Sequence, residues 1–242
     1  MCLLNVETHQ LEEFLRDRIP PYAILSHAWG EEEVTFQDLQ HPSHGKKPRI
    51  RQNCTDMRFG TRDGVKWVWV DTCCIDKFSS AELPEAISSM FEWYRRAQVC
   101  YVFLADAPSP KPGETLEEAF RNARWLTRGW ALQEFLAPGC IKLFNSAWRK
   151  VEPSSFPHNW RAADVHTRLS WAASRQTSRR EDMAYCLLGL LDVKMPLLYG
   201  EGPAAFSRLL EEVIKKSNSH GVLAACPRKS MSRRPQARPK YK

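Results

Sequence analysis

The sequence lacks the features of membrane-spanning, secreted and zinc-binding proteins. No stretch approaches the roughly 18 consecutive apolar residues of a membrane span. The start, MCLLNVETHQLEEF, has neither a basic stretch nor a long apolar one, so we expect no secretory signal. The eight cysteines include no C-x-x-C pair, and most lie in apolar runs, as reduced and buried thiols do. We therefore expect a cytoplasmic protein with no metal site and no bound cofactor.

The net positive charge of the chain is confined to one segment near its C-terminus. The formal charge is +7, but residues 228–242 contain seven basic residues and no acidic one. Without them the chain has 28 basic and 28 acidic residues, which argues against nucleic-acid binding by the folded part. Beyond Ser217 the serine-, proline- and lysine/arginine-rich composition is typical of disorder. We expect one folded domain over residues 1–217 and a basic, disordered tail over residues 218–242.

Apolar runs of strand length recur along the chain, and the most continuous is WVWVDT. Such runs, rich in β-branched and aromatic residues, are typical of buried strands. The predicted strands are Cys2–Val6, Tyr22–Trp29, Trp67–Thr72, Val99–Asp106 and Cys140–Asn145. Helical spacers separate the later strands, which favours an α/β fold with a mainly parallel sheet flanked by helices, of flavodoxin-like type.

Apolar residues at helical spacing mark the segments between and after these strands. The clearest helix runs from Glu82 to Arg96 and follows a capping-box pattern, Ser79 with Glu82. Further helices are predicted to begin at Thr127, at a second capping box formed by Ser178 and Glu181, and after Pro203, the last two making a C-terminal helical cap. Weaker predictions are a helix over residues 49–62 and a helical turn or charged loop over residues 11–16.

Polar side chains stand where the predicted strands end. Asp71 follows the Trp67 strand, while Ser26, His27 and Trp29 end the Tyr22 strand. Ligands of open α/β sheets bind beyond the carboxyl ends of the strands, so these residues are candidates for a substrate site, with Trp29 free to stack on a flat ligand. A simple turn-capping role for Asp71 stays open.

Two nucleophile–base pairs were considered at these strand ends. Ser26 and His27 are neighbours on one strand and point to opposite faces, so they do not form a hydrogen-bonded pair; we expect one to be buried and the other to line a cleft. Cys74 with His27 could imitate a thiol-protease dyad, but the sequence indicates no third residue to orient it.

Six blocks of sequence, taken together, resemble the fungal heterokaryon-incompatibility (HET) domain. They span about residues 1–151 and 167–217, in the family's order, and the chain is shorter than the family pattern after residue 151 and at its C-terminus. The blocks are YAILSHAWG, WVWVDTCCIDK, AISSMFEWYRRAQVCYVFLAD, RWLTRGWALQEFLAP, RLSWAASRQTSRREDMAYCLLGLLDVKMPLLYGEG and AFSRLLEEVIKKS. The resemblance implies a role in fungal non-self recognition and programmed cell death.

The HET family is in turn distantly similar to Toll/interleukin-receptor (TIR) domains, which implies a TIR-like variant of the α/β fold and assigns a role to Glu134. In TIR domains a strand is followed by a tryptophan and, four residues later, a glutamate; here Trp130 and Glu134 have that spacing. In enzymatic TIR domains the glutamate serves cleavage of the nicotinamide–ribose bond of NAD. The alternative for Glu134 is an ion pair with Arg124 or Arg128.

Two mechanisms therefore compete. In the first, the chain cleaves NAD with Glu134 as the catalytic residue, while Ser26, His27, Trp29, Asp71 and Trp130 bind the substrate. In the second, it is a non-enzymatic death-signalling module that works by self-association. The resemblance implies other incompatibility proteins, or sensors built from an NTPase and repeats, as partners, and the second mechanism adds a homo-oligomer.

Overall fold

The computed structural model describes residues 1–30, 33–40, 63–108, 120, 123–151 and 160–217, and within them seven strands form one mixed sheet. The strand order is β2-β1-β4-β3-β5-β6-β7. The strands are β1 Cys2–Asn5, β2 Leu11–Glu13, β3 Tyr22–His27, β4 Trp67–Val70, β5 Val99–Phe103, β6 Ile141–Phe144 and β7 Lys150–Val151.

The four central strands, β4, β3, β5 and β6, run parallel to one another. This confirms the prediction that the Tyr22, Trp67 and Val99 strands are parallel members of one sheet, and adds β6 to them. Counted in chain order, the parallel strands are arranged second, first, third, fourth. The chain therefore leaves β3 in one direction and returns to its other side at β5, which creates a topological switch point between the carboxyl ends of these two strands.

The edges of the sheet are antiparallel, so the sheet is mixed. The prediction of a helical turn or loop over residues 11–16 was wrong for Leu11–Glu13, which pairs with β1. A three-residue run gives no period to recognise, and the pairing depends on β1. Glu12 and Glu13 are exposed there, as charged residues often are on an edge strand.

The central strands are buried because both faces of the parallel region are covered. All six residues of β3 are buried, and Trp69 of β4 packs on Trp93 and Tyr94 of the following helix. The strands end earlier than predicted because the chain turns locally. After β4, for example, the Val70 carbonyl accepts hydrogen bonds from the N–H groups of Cys73 and Cys74, so Asp71 begins a turn.

Eight α-helices accompany the sheet in the described residues. They are α1 Phe36–Gln40, α2 Glu82–Arg96, α3 Arg124–Thr127, α4 Ala131–Leu136, α5 Val165–Ser170, α6 Asp182–Tyr185, α7 Leu188–Leu191 and α8 Ala204–Ser217. Helix α2 has the predicted bounds. Ser79 Oγ accepts from Glu82 N at 3.2 Å, but the Glu82 carboxylate accepts from Asp76 N at 3.1 Å, so half of the predicted capping box is formed.

Two other predicted helix starts were wrong. Thr127 ends α3, with Oγ1 donating to the Arg124 carbonyl at 2.8 Å, and α4 begins only after Gly129 and Trp130. Glu181 precedes α6, but its carboxylate accepts from the N–H groups of Gly200 and Gly202, both at 2.9 Å, instead of capping its own helix. In both places a distant segment supplies the contacts that decide the local structure.

The C-terminal helices form a second hydrophobic core on the outer side of α2 and α4. Ile87 of α2 and Leu132 and Leu136 of α4 enter this core, whereas the strands do not. The other large buried members are Trp160, Tyr185, Leu187, Leu188, Leu190, Leu191, Leu209 and Val213. The predicted C-terminal helical cap is therefore present, and it packs on the helix layer next to the sheet.

The remaining predictions concern the cysteines, membrane-spanning helices and two segments that the structure does not describe. Of the described cysteines, Cys73, Cys74, Cys100 and Cys186 are buried, whereas Cys140 is exposed and Cys2 is half-buried. Among the described residues no helix is long and apolar enough to cross a membrane. The helix predicted over residues 49–62 and the disordered tail predicted over residues 218–242 lie outside the described residues.

Candidate active site

Ser26 and Glu134 meet at the carboxyl end of β3, beside the switch point. Ser26 Oγ donates a hydrogen bond of 2.5 Å to Glu134 Oε2, and Trp125 Nε1 donates one of 2.6 Å to Ser26 Oγ. Ser26 is 1% exposed and Glu134 3% exposed. The three side chains come from β3, α3 and α4, so the arrangement depends on the packing of both short helices against the sheet.

The Glu134 carboxylate is buried without an ion-pair partner within 4 Å among the described residues. The ion pair with Arg124 or Arg128 considered from the sequence is not formed. Arg124 lies 3.6 Å from Asp106, and the Arg128 guanidinium donates to the His27 carbonyl. Burial raises the pKa of Glu134 above its usual 4.5, while the charge of Arg128 and the hydrogen bond from Ser26 partly oppose this shift. A buried carboxylate of this kind costs folding stability, which is a reason to look for function.

His27 and Glu33 form the second pair at this edge, and it is an ion pair when His27 is protonated. Its Nε2 lies 3.2 Å from Glu33 Oε2, and its Nδ1 has no hydrogen-bond partner among the described residues. Burial lowers the pKa of His27, but the carboxylates of Glu33 and Asp71 more than offset this and hold it above 6.5. Glu33 is half-buried, and its other oxygen accepts from Gly30 N at 2.8 Å.

Trp29 and Asp71 form a third pair. Trp29 Nε1 donates to Asp71 Oδ2 at 2.7 Å, and the Lys77 ammonium lies 3.5 Å from the centroid of the indole ring. Asp71 Oδ1 is buried and has no hydrogen-bond partner in the described part of the chain. The charge of Asp71 acts on both Glu134 and His27, which places the three pairs within electrostatic range of one another.

Trp130 is not part of these pairs and packs against the core of the C-terminal helices. Its indole acts on the Asp182 carboxyl, where it partly opposes the rise in pKa that burial causes, and that carboxylate accepts from the Tyr199 hydroxyl at 2.9 Å. Of the predicted site residues, the structure thus gathers Ser26, His27, Trp29, Asp71 and Glu134 at one edge of the sheet, while Trp130 joins α4 to the C-terminal helices. Ser26 and His27 have different partners, as expected, but both are buried and neither lines an open cleft.

The C-terminal half also holds the turn between α3 and α4. Arg175 Nη1 donates to the Arg128 carbonyl at 2.9 Å, and Gly129 N donates to the Gln176 carbonyl at 2.8 Å. Gly129 is required there, since a Cβ at this position would lie 2.5 Å from Cγ2 of Thr177. The segment after α5 therefore fixes the turn that carries Arg128 and leads into Glu134.

Sequence reasoning did not assign Trp125, Arg128, Glu33 and Lys77 to the site. Their roles depend on tertiary contacts, although Lys77, Trp125 and Arg128 lie within the blocks that resemble the HET family. The Cys74–His27 dyad, disfavoured from the sequence, is not formed among the described residues, because Cys74 lies in the turn after β4, where its Sγ accepts from Val70 N at 3.3 Å. Among the described residues no group of three or more His, Cys, Asp or Glu side chains is placed to hold a metal ion.

Comparison with known proteins identifies the family. The family model "Heterokaryon incompatibility protein (HET)" matches residues 22–113, a range that includes Ser26, His27, Trp29 and Asp71 but not Glu134. Vegetative incompatibility protein HET-E-1 of Podospora anserina is 44% identical over 225 residues, covering 82% of this chain. The chain spans only 16% of the length of that relative. No solved structure matches the chain significantly. On these similarities, the chain belongs to the heterokaryon incompatibility (HET) family.

Proposed function

We propose that this chain is an effector domain of fungal heterokaryon incompatibility, which triggers death of fused cells that differ genetically. The support is its 44% identity to a vegetative incompatibility protein. We further propose that it receives its signal from other incompatibility proteins or from sensors built from an NTPase and repeats. Both statements concern the whole pathway, of which the chain supplies one domain.

For the chemical activity we propose hydrolysis of the nicotinamide–ribose bond of NAD. The observation that carries this proposal is the buried Glu134 carboxylate, hydrogen-bonded to Ser26 at the switch point of the sheet. In support, the four parallel strands have the order 2-1-3-4, which agrees with the first four strands of the flavodoxin-like order, and ligands of such sheets bind at the switch point. TIR domains, which the sequence distantly resembles, use a glutamate in the same place along the chain.

In the proposed reaction the bond between ribose C1′ and pyridinium N1 breaks, and its electron pair stays on N1. Nicotinamide leaves as a neutral molecule, and positive charge develops on the ribose. Water adds to C1′ and releases a proton, which gives ADP-ribose. An ionised carboxylate fixed beside C1′ stabilises the developing charge more than the ground state.

The surroundings of Glu134 fit this task. Ser26 donates to the carboxylate and is itself held by Trp125, so the position of Oε2 is fixed before substrate arrives. The charge of Arg128 favours the ionised form against the effect of burial. Because Glu134 is only 3% exposed, the substrate has to displace side chains that cover it, and Arg128 and Lys77 are the half-exposed cations of this region.

The test is Glu134→Gln, which keeps the shape and removes the charge. We expect NAD hydrolysis by the purified protein to fall by about 10²–10³-fold, as after loss of one transition-state-stabilising group. NAD depletion and cell death in the expressing fungus should be lost together. The matched control is Glu85→Gln in the first turn of α2, an exposed position that should leave both unchanged. Death at the parental rate with NAD intact in parent and variant would exclude the enzyme.

Self-association is the second candidate, favoured by large exposed apolar side chains. Trp29, Phe78 and Leu126 are 48%, 85% and 38% exposed. Trp29 and Phe78 lie in the segments that follow β3 and β4, and Leu126 lies in α3 beside Trp125, which donates to Ser26 at the end of β3. Exposed apolar groups on one edge are typical of an interaction surface. If this candidate is right, Phe78→Ser with Leu126→Ser should abolish both self-association in sedimentation experiments and cell death, and Glu134→Gln should have no effect on either.

A further inference from the structure

Trp29 presents an aromatic ring at the edge of the sheet in a fixed orientation. The side chain is 48% exposed, yet its indole N–H donates to Asp71 Oδ2 at 2.7 Å. Asp71 lies in the turn that ends β4, the strand next to β3, so the ring is anchored to two neighbouring strands. An exposed tryptophan held in this way keeps its ring available at small cost in side-chain entropy.

The Lys77 ammonium occupies one face of this ring, 3.5 Å from its centroid. Within the described part of the chain Lys77 forms neither an ion pair within 4 Å nor a hydrogen bond, so the indole face is its partner. Attraction between a cation and the face of tryptophan is well established, and partial desolvation strengthens it. Nearby, Asp71 Oδ1 is buried without a hydrogen-bond partner among these residues. The ring and this carboxylate together form a surface complementary to positive charge.

We propose that the face of Trp29 binds a planar cationic ring, and that Lys77 takes the place of this ring in the free protein. The ligand class is an N-alkylated pyridinium. In the cell this is the nicotinamide end of oxidised NAD, an identification that rests on the proposed function. Lys77 has a flexible side chain with a compact charge. On displacement by the pyridinium it becomes available to pair with the diphosphate of the same ligand.

The charge of the nicotinamide ring determines whether Trp29 contributes to substrate binding or to catalysis. In oxidised NAD the nicotinamide ring carries a positive charge, whereas in NADH it is neutral, so the contact selects the oxidised form. During cleavage the electron pair moves onto N1 and the charge disappears, so the contact weakens towards the transition state. Trp29 therefore lowers Kd and KM but does not raise kcat. Glu134, which acts on the ribose charge, has the opposite signature.

Binding can be measured without cleavage in the Glu134→Gln protein by following the Trp29 indole N–H signal during an NMR titration. The probes are 1-methylnicotinamide, a cation, and nicotinamide, its neutral counterpart, followed by NAD and NADH. We expect each cationic form to bind about tenfold more tightly than its neutral partner, the effect of one cation–π contact. Trp29→Leu, assayed by calorimetry, should abolish the difference. Phe78→Leu, an exposed aromatic at the same edge, is the control and should preserve it.

Lys77→Met separates ligand competition from structural support. Removal of the competing cation should tighten 1-methylnicotinamide binding severalfold and weaken NAD binding, because the diphosphate loses a partner. Equal affinity for cationic and neutral probes, or no binding of either, would overturn the inference even if NAD is hydrolysed. Selective binding that depends on Trp29 in a protein that leaves NAD intact would support the inference and reject the hydrolase.

Discussion

Ser26 in β3 donates a hydrogen bond of 2.5 Å to Glu134 in α4, a residue 108 positions later in the chain. The same Ser26 oxygen accepts from the indole N–H of Trp125 at 2.6 Å, so two donors in series point towards one carboxylate. This polarity stabilises the ionised form of Glu134 in a place where burial favours the neutral form. The pair thus links the strand end, where substrate is expected, to the helix that carries the charge.

Replacing Ser26 by alanine should raise the pKa of Glu134 further, because the carboxylate loses its hydrogen-bond donor. The acid limb of the pH profile of NAD hydrolysis should move to higher pH, and the free energy of unfolding should fall by about 1–3 kcal/mol, since Trp125 loses its acceptor as well. A carbon-13 NMR titration of the Glu134 carboxyl checks the shift without reference to catalysis. Ser88→Ala, at an exposed position of α2, is the control. An unchanged carboxyl titration would show that Ser26 only fills space.

Glu134 should make the protein less stable at neutral pH than at acid pH. Its pKa in the folded state lies above the ordinary 4.5, so between these values the folded state binds the extra proton and stability falls as the pH rises. Glu134→Gln lacks this cost, and its unfolding free energy at neutral pH should exceed that of the parent by about 1–2 kcal/mol, as when a functional group is removed. Denaturant titrations at a series of acid to neutral pH values measure the difference. A difference that does not grow with pH would contradict the assigned cause.

The His27–Glu33 pair predicts a second dependence of stability on pH. Its cause is the attraction between the two side chains, whereas the cause at Glu134 is burial. Burial alone would lower the pKa of His27, and the carboxylates of Glu33 and Asp71 raise it above 6.5. The pair contributes stability that is complete below 6.5 and is lost as the pH rises through the raised value. Glu33→Gln should therefore lower the pKa of His27, measured from its imidazole NMR signals. The reference is Glu12→Gln on the exposed edge strand β2, which should leave that titration unchanged.

The central strands were predictable because continuous apolar runs such as YAILSH and WVWV are needed wherever a parallel sheet is covered on both faces. Ser26 and Glu134 were recognised as candidates separately, but their hydrogen bond was not predictable. It depends on how α3 and α4 pack, whereas the sequence predicted one helix that begins at Thr127, where α3 ends. Glu33 illustrates the same limit, because three consecutive acids indicate a solvated loop until the position of His27 is known. Local sequence patterns were therefore sufficient to predict the strands of the sheet. The arrangement of the site depends on contacts between residues far apart in the chain.

The last prediction tests whether the C-terminal half positions the site through the α3–α4 turn. At Gly129 an added Cβ would lie 2.5 Å from Thr177 Cγ2 and 3.2 Å from Cys186 Sγ. Gly129→Ala should therefore push the turn away from the segment that accepts its N–H at Gln176, with a loss of about 1–3 kcal/mol in unfolding free energy. Because this turn carries Arg128, whose guanidinium donates to the His27 carbonyl, the pKa of His27 should change as well.

Thr177→Ser supplies the compensating change. It removes Cγ2 and retains the hydroxyl, which donates to the Arg179 carbonyl at 2.6 Å. Alone it should be almost neutral, but combined with Gly129→Ala it should restore most of the lost stability and return the His27 titration towards that of the parent, as expected of two residues in direct contact. Thermal unfolding and imidazole NMR of the four proteins complete the double-mutant cycle. Additive losses would mean that the turn is not held by this contact, and the C-terminal helices would then stabilise the domain without positioning its site.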